Sequence, residues 1–152
     1  MADLTLAGID IGGTKIGVSI GDLAGAVYGS RRLATIAERR PEELLAAAMR
    51  QLAELCDEHG RGRPAALGIA APGPLDYRAG RLLEVPNMPR WQGFALGAWL
   101  DRHAGCPAEF MNDANAGVLA EVTWGAARGA RSAVFLTMST GMGAGLWLDG
   151  RV

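Results

Sequence analysis

The segment G-I-D-I-G-G-T-K at residues 8–15 has the residue types that bind phosphate. An apolar run ends at an aspartate, and two glycines then allow backbone N–H groups to approach an anion. Thr14 adds a hydroxyl donor and Lys15 adds a point charge suited to phosphate. The segment is not a P-loop, because the chain contains no G-x-x-x-x-G-K-[ST]. A hairpin turn without a ligand explains the same residues about equally well.

A second glycine-rich segment, S-T-G-M-G-A-G, occupies residues 139–145 between two apolar runs. A dinucleotide-binding motif would require a helix directly after the glycines, and the L-W-L that follows at 146–148 is typical of a strand. We therefore predict a glycine turn over residues 141–145. Two such turns, one opening each half of a protein, indicate a phosphate clamp, although a ligand-free glycine hairpin remains the alternative.

Two further groups of residues could bind a polyhydroxyl substrate. Asn112-Asp113 follows a short apolar run, where a carboxylate can accept a proton from a hydroxyl and an amide can hold neighbouring hydroxyls. The alternative is that Asp113 is only the N-cap of a helix.

The second group lies in a proline-rich segment and consists of Gly73, within A-P-G-P, and Asn87, within N-M-P-R-W. Gly73 permits close backbone approach and Asn87 offers both donors and an acceptor. A rigid surface loop is the alternative there.

Composition excludes several classes of protein. The 152 residues include 15 basic and 16 acidic side chains, for a net charge of −1, and 49% are hydrophobic. This balance argues against a disordered chain and against a polybasic surface for nucleic acid or membrane. Cys56 and Cys106 are far apart in sequence, so a disulfide framework or thiolate metal site is not expected. The sequence lacks a signal-peptide pattern and an apolar membrane span, and we expect a cytoplasmic protein.

Hydrophobic periodicity predicts the element order β-β-β-α-β-α-β-α, followed by a new β-turn-β. The predicted strands are 4–11, 15–20, 25–35, 65–70, 108–111 and 132–138, with another starting at 146. The first predicted helix has Pro41 in its first turn and a stop at His59-Gly60, and the other two are 94–103 and 113–124. Residues 71–92 are predicted to be a long loop. This order predicts an α/β fold with a five-stranded mixed sheet and helices on its faces. The last hairpin, from about residue 131, resembles the start of a second copy of the same order of strands and helices.

The chain resembles the ROK family of sugar kinases and repressors, which includes glucokinases and N-acetylhexosamine kinases. Five motifs occur in the family's order: D-I-G-G-T-K, P-G-P-L-D, N-M-P-x-W, N-D-A-N-A and S-T-G-M-G-A-G. They extend over roughly residues 4–152. The resemblance implies an actin-like ATPase fold, in which two RNase H-like lobes surround a cleft, with ATP, Mg²⁺ and a sugar as reactants.

The resemblance also implies roles for individual residues. Asp113 would be the catalytic base that takes the proton of the sugar hydroxyl. The sugar would be bound by Gly73, Asn87, Asn112 and Asp113. Asp10 would face the metal and phosphate end of the nucleotide. The first phosphate loop would consist of Gly12, Gly13, Thr14 and Lys15, and the second would include Thr140, Gly141 and Gly143.

The family's kinases are about twice this length, and the resemblance implies that their adenosine pocket, zinc cluster and further sugar ligands lie beyond the second glycine segment. We therefore predict an N-terminal lobe over residues 1–130 and the truncated start of a second lobe over 131–152, inactive as an isolated chain and without the family's zinc site. A homodimer is expected. The alternatives are a sugar-responsive repressor lacking its DNA-binding domain, since only nine residues precede Asp10, and a non-catalytic sugar-binding fragment.

Overall fold

The structure is a computed structural model that describes residues 4–36, 38–138 and 142–152. The chain divides into two compact units, Met1–Phe110 and Met111–Val152. The strands are β1 Leu6–Ile11, β2 Lys15–Gly21, β3 Val27–Ala34, β4 Ala66–Ala71, β5 Leu75–Asp76, β6 Arg81–Leu82, β7 Ala108–Asn112, β8 Ser132–Met138 and β9 Met142–Leu148. The helices are α1 Pro41–Glu58, α2 Leu96–His103 and α3 Asp113–Thr123.

A mixed sheet of five strands, in the order β3-β2-β1-β4-β7, confirms the predicted α/β class. The first three strands form an antiparallel meander, and β4 returns parallel to β1 with Ile9 beside Ile69. Alternate residues of β1 and β2 are buried, because successive side chains of a strand point to opposite faces. The connection from β3 to β4 is α1, as a parallel return requires.

Helix α1 forms where the sequence predicts it. Pro41 opens the helix, Glu42 and Glu43 lie in its first turn, and Gly60 follows its end with a φ of +61°. Such a start and stop suit the positive helix N-terminus and the left-handed residue after a helix. Its buried stripe consists of Pro41, Leu44, Leu45, Ala48, Leu52, Leu55 and Cys56. This stripe joins the buried side of the sheet in one core.

The proline-rich segment 71–92 differs from the predicted loop, because it contains the β5–β6 hairpin and a 3-10 turn at Pro89–Trp91. Buried side chains hold it against the first unit's core: Leu82, Val85, Met88 and Trp91. Leu82 also exchanges backbone hydrogen bonds with its surroundings, accepting from Gly93 and donating to Phe94, both at 3.0 Å. The prolines therefore occur in a segment that is packed against the core, and not in a loose loop.

In the second unit, α3 packs on the β8–β9 hairpin, and the predicted glycine turn over 141–145 is partly wrong. Strand β9 begins at Met142, so Gly143 and Gly145 are strand residues. A side chain on Gly145 would collide with the backbone of Ala114, and one on Gly117 would collide with the Phe135 ring. These glycines are needed because the helix and the hairpin approach each other closely.

The division at Phe110 therefore lies earlier in the chain than the predicted lobe boundary at 130/131, since α3 clusters with the hairpin. The assignment of the two parts to lobes stays a prediction. Within the described residues, no helix is both long enough and apolar enough to cross a membrane.

Candidate active site

The β1–β2 turn presents hydrogen-bond donors to solvent at the carboxyl end of β1. Gly13, Thr14 and Lys15 are exposed. Gly12 closes the turn, donating its N–H to the Lys15 carbonyl at 3.0 Å. No described residue accepts a hydrogen bond from the N–H groups of Gly13 or Thr14. Two backbone donors, a hydroxyl and an ammonium group therefore converge on one turn, which is a donor set suited to a polyphosphate.

Thr35, directly after β3, holds this turn in place. Its hydroxyl donates to the Gly12 carbonyl at 2.7 Å, and its N–H donates to the Thr14 carbonyl at 3.0 Å. The sequence alone does not reveal this role of Thr35, because Thr35 lies about 20 residues away and only the β2–β3 register, which pairs Lys15 with Ala34, brings it to the turn. A threonine at the end of a predicted strand gives no separate signal of such a role.

Asp10 lies next to the turn on an exposed position of β1, in register with Gly17 of β2 and Ala70 of β4. A β-carbon placed on Gly17 would be 3.6 Å from the Asp10 Cβ, which is ordinary contact distance, so the two positions are neighbours on the sheet. A carboxylate oxygen is the ligand type that Mg²⁺ prefers, so Asp10 fits the predicted place at the metal and phosphate end.

The proline-rich segment brings Asn87 to the same turn. A β-carbon placed on Gly13 would be 3.9 Å from the Asn87 Cβ, which is ordinary contact distance. Asn87 is exposed, while its neighbour Met88 is 2% exposed and fixes the backbone in the core. Gly73 follows β4, the parallel neighbour of β1, so its loop leaves the sheet at the same edge as the β1–β2 turn. The first unit thus gathers these sequence-predicted residues at one sheet edge.

In the second unit, Asn112 and Asp113 stand at the start of α3, and the N-cap prediction is wrong by one residue. Asn112 is the cap, since its Oδ1 accepts from the N–H groups of Ala114 at 3.1 Å and Asn115 at 3.4 Å. Asp113 is the first helical residue and is half-buried. Its Oδ1 accepts from the Ala114 N–H at 2.8 Å, and no described residue bonds its Oδ2. One carboxylate oxygen is therefore fixed while the other is available to a substrate.

The predicted second phosphate loop is only partly within the described structure. Thr140 and Gly141 lie outside the described residues. Gly143 pairs with Thr137 in the β8–β9 ladder, so its backbone belongs to a strand. Among the described residues, no group of three or more His, Cys, Asp or Glu side chains could hold a metal ion.

Comparison with known proteins gives consistent results. The chain is 34% identical over 151 residues to a glucokinase of Thermotoga maritima, covering 99% of this chain and 46% of that protein. The structure of a ROK hexokinase from Thermus thermophilus is similar with a TM-score of 0.83 and 37% identity, covering 97% of this chain and 48% of that one.

The structure of a ROK family glucokinase from Streptomyces griseus, solved in complex with glucose and AMPPNP, is similar with a TM-score of 0.84 and 29% identity. The match covers 96% of this chain and 45% of that one. These likenesses confirm the predicted actin-like fold, and the chain spans about half the length of the relatives that it matches. The ROK family pattern matches residues 6–152. The chain therefore belongs to the ROK family.

Proposed function

We propose that this chain supplies the N-terminal part of an enzyme that transfers a phosphoryl group from ATP to a hydroxyl of a hexose or N-acetylhexosamine. The observation that carries the proposal is that Asn87 lies beside the β1–β2 turn, since a β-carbon placed on Gly13 would be 3.9 Å from the Asn87 Cβ. A turn rich in hydrogen-bond donors for phosphate therefore lies beside a side chain suited to sugar hydroxyls. The glucokinase from Thermotoga maritima and the glucose complex from Streptomyces griseus support the choice of substrates.

On the nucleotide side, the residues of the β1–β2 turn bind phosphate oxygens. The N–H groups of Gly13 and Thr14 and the Thr14 hydroxyl donate to them, and Lys15 adds a positive charge. Asp10 would hold Mg²⁺, which neutralises the charge of the β- and γ-phosphates when bound with ATP. Since these donors are set by the turn itself, they require little reorganisation when the nucleotide binds. Gly12, Thr140, Gly141 and Gly143 complete the proposed nucleotide contacts.

On the sugar side, the Asp113 carboxylate orients the reacting hydroxyl and accepts its proton. The bond from Ala114 N–H to Oδ1 fixes the carboxylate, and Oδ2 is the oxygen that takes the proton. A positioned general base contributes roughly 10² to 10⁴ in rate. Asn112, Asn87 and Gly73 hold neighbouring hydroxyls. We place the enzyme in the cytoplasm as a homodimer, with no zinc ligands supplied by this chain.

A chimaera tests this function. Residues 1–148 of this chain are fused to the complementary C-terminal part of the Thermotoga maritima glucokinase, and ADP release is measured with glucose, fructose, N-acetylglucosamine and N-acetylmannosamine. We expect sugar-dependent ADP release, and we expect Asp113→Asn to lower it by roughly 10² to 10⁴. Asn115 N–H still has its Asn112 cap in that variant, so the melting temperature stays nearly unchanged.

The matched control is Asp101→Asn, which removes an exposed carboxylate on α2. It should leave both rate and melting temperature as they are. A folded chimaera in which Asp113→Asn reacts as fast as the unmodified protein would remove Asp113 from the mechanism.

A further inference from the structure

The Thr35 hydroxyl closes the β1–β2 turn in place of a backbone hydrogen bond. Many four-residue turns are closed by a bond from the N–H of the fourth residue to the carbonyl of the first, here from Lys15 to Gly12. Nowhere in the described part of the chain does a backbone N–H donate to the Gly12 carbonyl. This carbonyl instead accepts from Thr35 Oγ1 at 2.7 Å. The Thr35 N–H also donates to the Thr14 carbonyl at 3.0 Å, so a single residue bonds both ends of the turn.

These two bonds fix the direction of two backbone donors. In a trans peptide, the carbonyl of one residue and the N–H of the next lie in one plane and point in opposite directions. The peptide bonds 12–13 and 14–15 are both trans. Because Thr35 bonds the carbonyls of these two peptides, the N–H groups of Gly13 and Lys15 both point away from Thr35. The turn therefore presents them on the side that is free of β3.

The sheet in turn anchors Thr35. Ala34, the last residue of β3, is in register with Lys15, and Leu33 is in register with Ile16. Leu33 packs against the buried core, to which Ile16 belongs. Thr35 is half-buried, whereas Gly13, Thr14 and Lys15 are exposed. The bonds of Thr35 thus connect an exposed turn to the packed part of the first unit and hold its donors in place before a ligand binds.

We infer that Thr35 is a positioning residue for phosphate binding, which directs the N–H groups of Gly13 and Lys15 toward the phosphate chain of the nucleotide. The inference rests on the proposed function and adds to it a residue that touches no substrate. It also adds the Lys15 N–H as a donor beside the ammonium group of the same residue. Donors that are fixed in advance bind more tightly than donors of a mobile turn, because less conformational freedom is lost on binding. Removal of the Thr35 hydroxyl should therefore weaken phosphate binding.

The test follows the backbone amide signals of the 152-residue chain by NMR during a titration with tripolyphosphate at constant ionic strength. Tripolyphosphate has the phosphate chain of ATP without its nucleoside, and we expect it to shift the signals of Gly13 and Lys15. Thr35→Val keeps the shape of the side chain and removes its hydroxyl, and should raise the Kd about fivefold. Thr35→Ser keeps the hydroxyl and should stay within about twofold of the unmodified chain. The spectrum of each variant also shows whether it is folded.

Thr123→Val is the matched control. The Thr123 hydroxyl donates to the Leu119 carbonyl in α3 at 2.6 Å, so this variant loses the same group from the same kind of bond in the second unit. It should bind tripolyphosphate as the unmodified chain does. Equal Kd values for Thr35→Val and the unmodified chain, or unshifted Gly13 and Lys15 signals, would overturn the inference. The titration involves no kinase reaction, so it decides the role of Thr35 even when the chimaera releases no ADP.

In an active chimaera, the same variants distinguish positioning of the nucleotide from a general effect on the fold. Thr35→Val should raise the KM for ATP about fivefold and leave the KM for the sugar unchanged, and Thr35→Ser should have a KM for ATP close to that of the unmodified chimaera. Thr123→Val should change neither constant. A lower melting temperature of Thr35→Val with both KM values unchanged would show that Thr35 only stabilises the fold, and would refute its role in phosphate binding.

Discussion

At the scale of residues, the β1–β2 turn separates side chains that can meet a ligand from side chains that only shape the turn. Thr14 and Lys15 are exposed, and neither the Thr14 hydroxyl nor the Lys15 ammonium group bonds to a described residue. Thr35, in contrast, donates hydrogen bonds from both its hydroxyl and its N–H to carbonyls of the turn. Substitution of the first pair should therefore affect binding, and substitution of Thr35 should affect the shape of the turn.

Lys15 gives the clearest prediction for nucleotide binding. In the chimaera, Lys15→Ala removes the only lysine of the chain from an exposed position, so folding should be unaffected. A hydrogen bond to a charged group is worth roughly 1.5 to 3 kcal/mol, and we expect the KM for ATP to rise about tenfold or more. Sugar affinity should be unchanged, and Lys15→Arg should restore part of the loss. A fall in sugar affinity with an unchanged KM for ATP would assign the turn to the other substrate.

Asp22 gives a prediction about pH. Its carboxylate accepts hydrogen bonds from the Tyr28 hydroxyl at 2.6 Å and from the N–H groups of Ala24 and Ala26. These bonds, that of Tyr28 foremost, lower the pKa of Asp22 from its ordinary value of 3.8. A lowered pKa means that the folded state binds fewer protons, so the stabilisation is present above pH 4 and is lost as pH falls through the folded-state pKa.

The measurement is the urea midpoint of the unmodified chain and of Asp22→Asn at pH 7 and at pH 2.5. The unmodified chain should be the more stable at pH 7, and the difference should shrink at pH 2.5, because the aspartate of the unfolded chain binds a proton well above that pH. Asp101→Asn, an exposed control, should show no difference at either pH. A difference of the same size at both pH values would show that the Asp22 charge has no part in it.

At the scale of elements, hydrophobic periodicity and the residues that start and stop an element predict it correctly where all of these signals agree. Helix α1 has a proline start, an apolar stripe and a glycine stop, and it forms as predicted. Asn112 and Asp113 could not be told apart as the cap, since both residue types are about equally favoured there. The role of a glycine was also ambiguous, because glycine is equally suited to a turn and to a close contact with another backbone. Gly145 lies in a close contact, with the backbone of Ala114.

Gly145 leads to a prediction about the second unit. Gly145→Ala places a methyl group against the backbone of Ala114, which no side-chain rotation relieves. Overpacking of this kind costs roughly 1 to 3 kcal/mol, and we expect amide exchange of α3 to accelerate accordingly. Ala144→Ser is the neighbouring control, because residue 144 is exposed on the opposite face of β9 and should change stability by less than about 0.5 kcal/mol. Equal exchange rates in the two variants would mean that α3 does not depend on this contact.

At the scale of the whole molecule, the family and the fold followed from five ordered motifs, and the buried anchors of the proline-rich segment did not. Motifs report the residues that touch ligands, whereas Leu82 and Trp91 are buried through contacts that only the folded chain defines. The sequence alone also predicts that the hairpin leaves Phe135, Leu146 and Trp147 without packing partners, which holds for Leu146, 47% exposed, but not for the two aromatic residues. Both lie on the half-buried face of the hairpin, where Phe135 meets Gly117 of α3 and the Trp147 Nε1–H donates to the Ala130 carbonyl at 3.3 Å.

The other face of the β8–β9 hairpin carries the last prediction. Its apolar side chains are 47% to 78% exposed: Val134, Leu136, Met138, Met142, Leu146 and Leu148. Among the described residues the two strands form a ladder only with each other, and apart from a bridge between Leu148 and Arg151 both edges are open as well. Exposed apolar strands with open edges promote association. We therefore expect the isolated 152-residue chain to form dimers or larger species in gel filtration.

The same chain should release no ADP when given Mg-ATP with glucose or an N-acetylated hexose, because closure of a cleft around the substrate needs a complete second lobe. Leu136→Lys puts a charge in the middle of the exposed face and should shift the chain toward monomer. Ser132→Lys, at the end of the same strand, adds the same charge away from the centre of that face and should shift it much less. Sugar-dependent ADP release from monomeric Leu136→Lys would show that the 152 residues are sufficient for catalysis, because neither a second lobe nor a second copy would then be present.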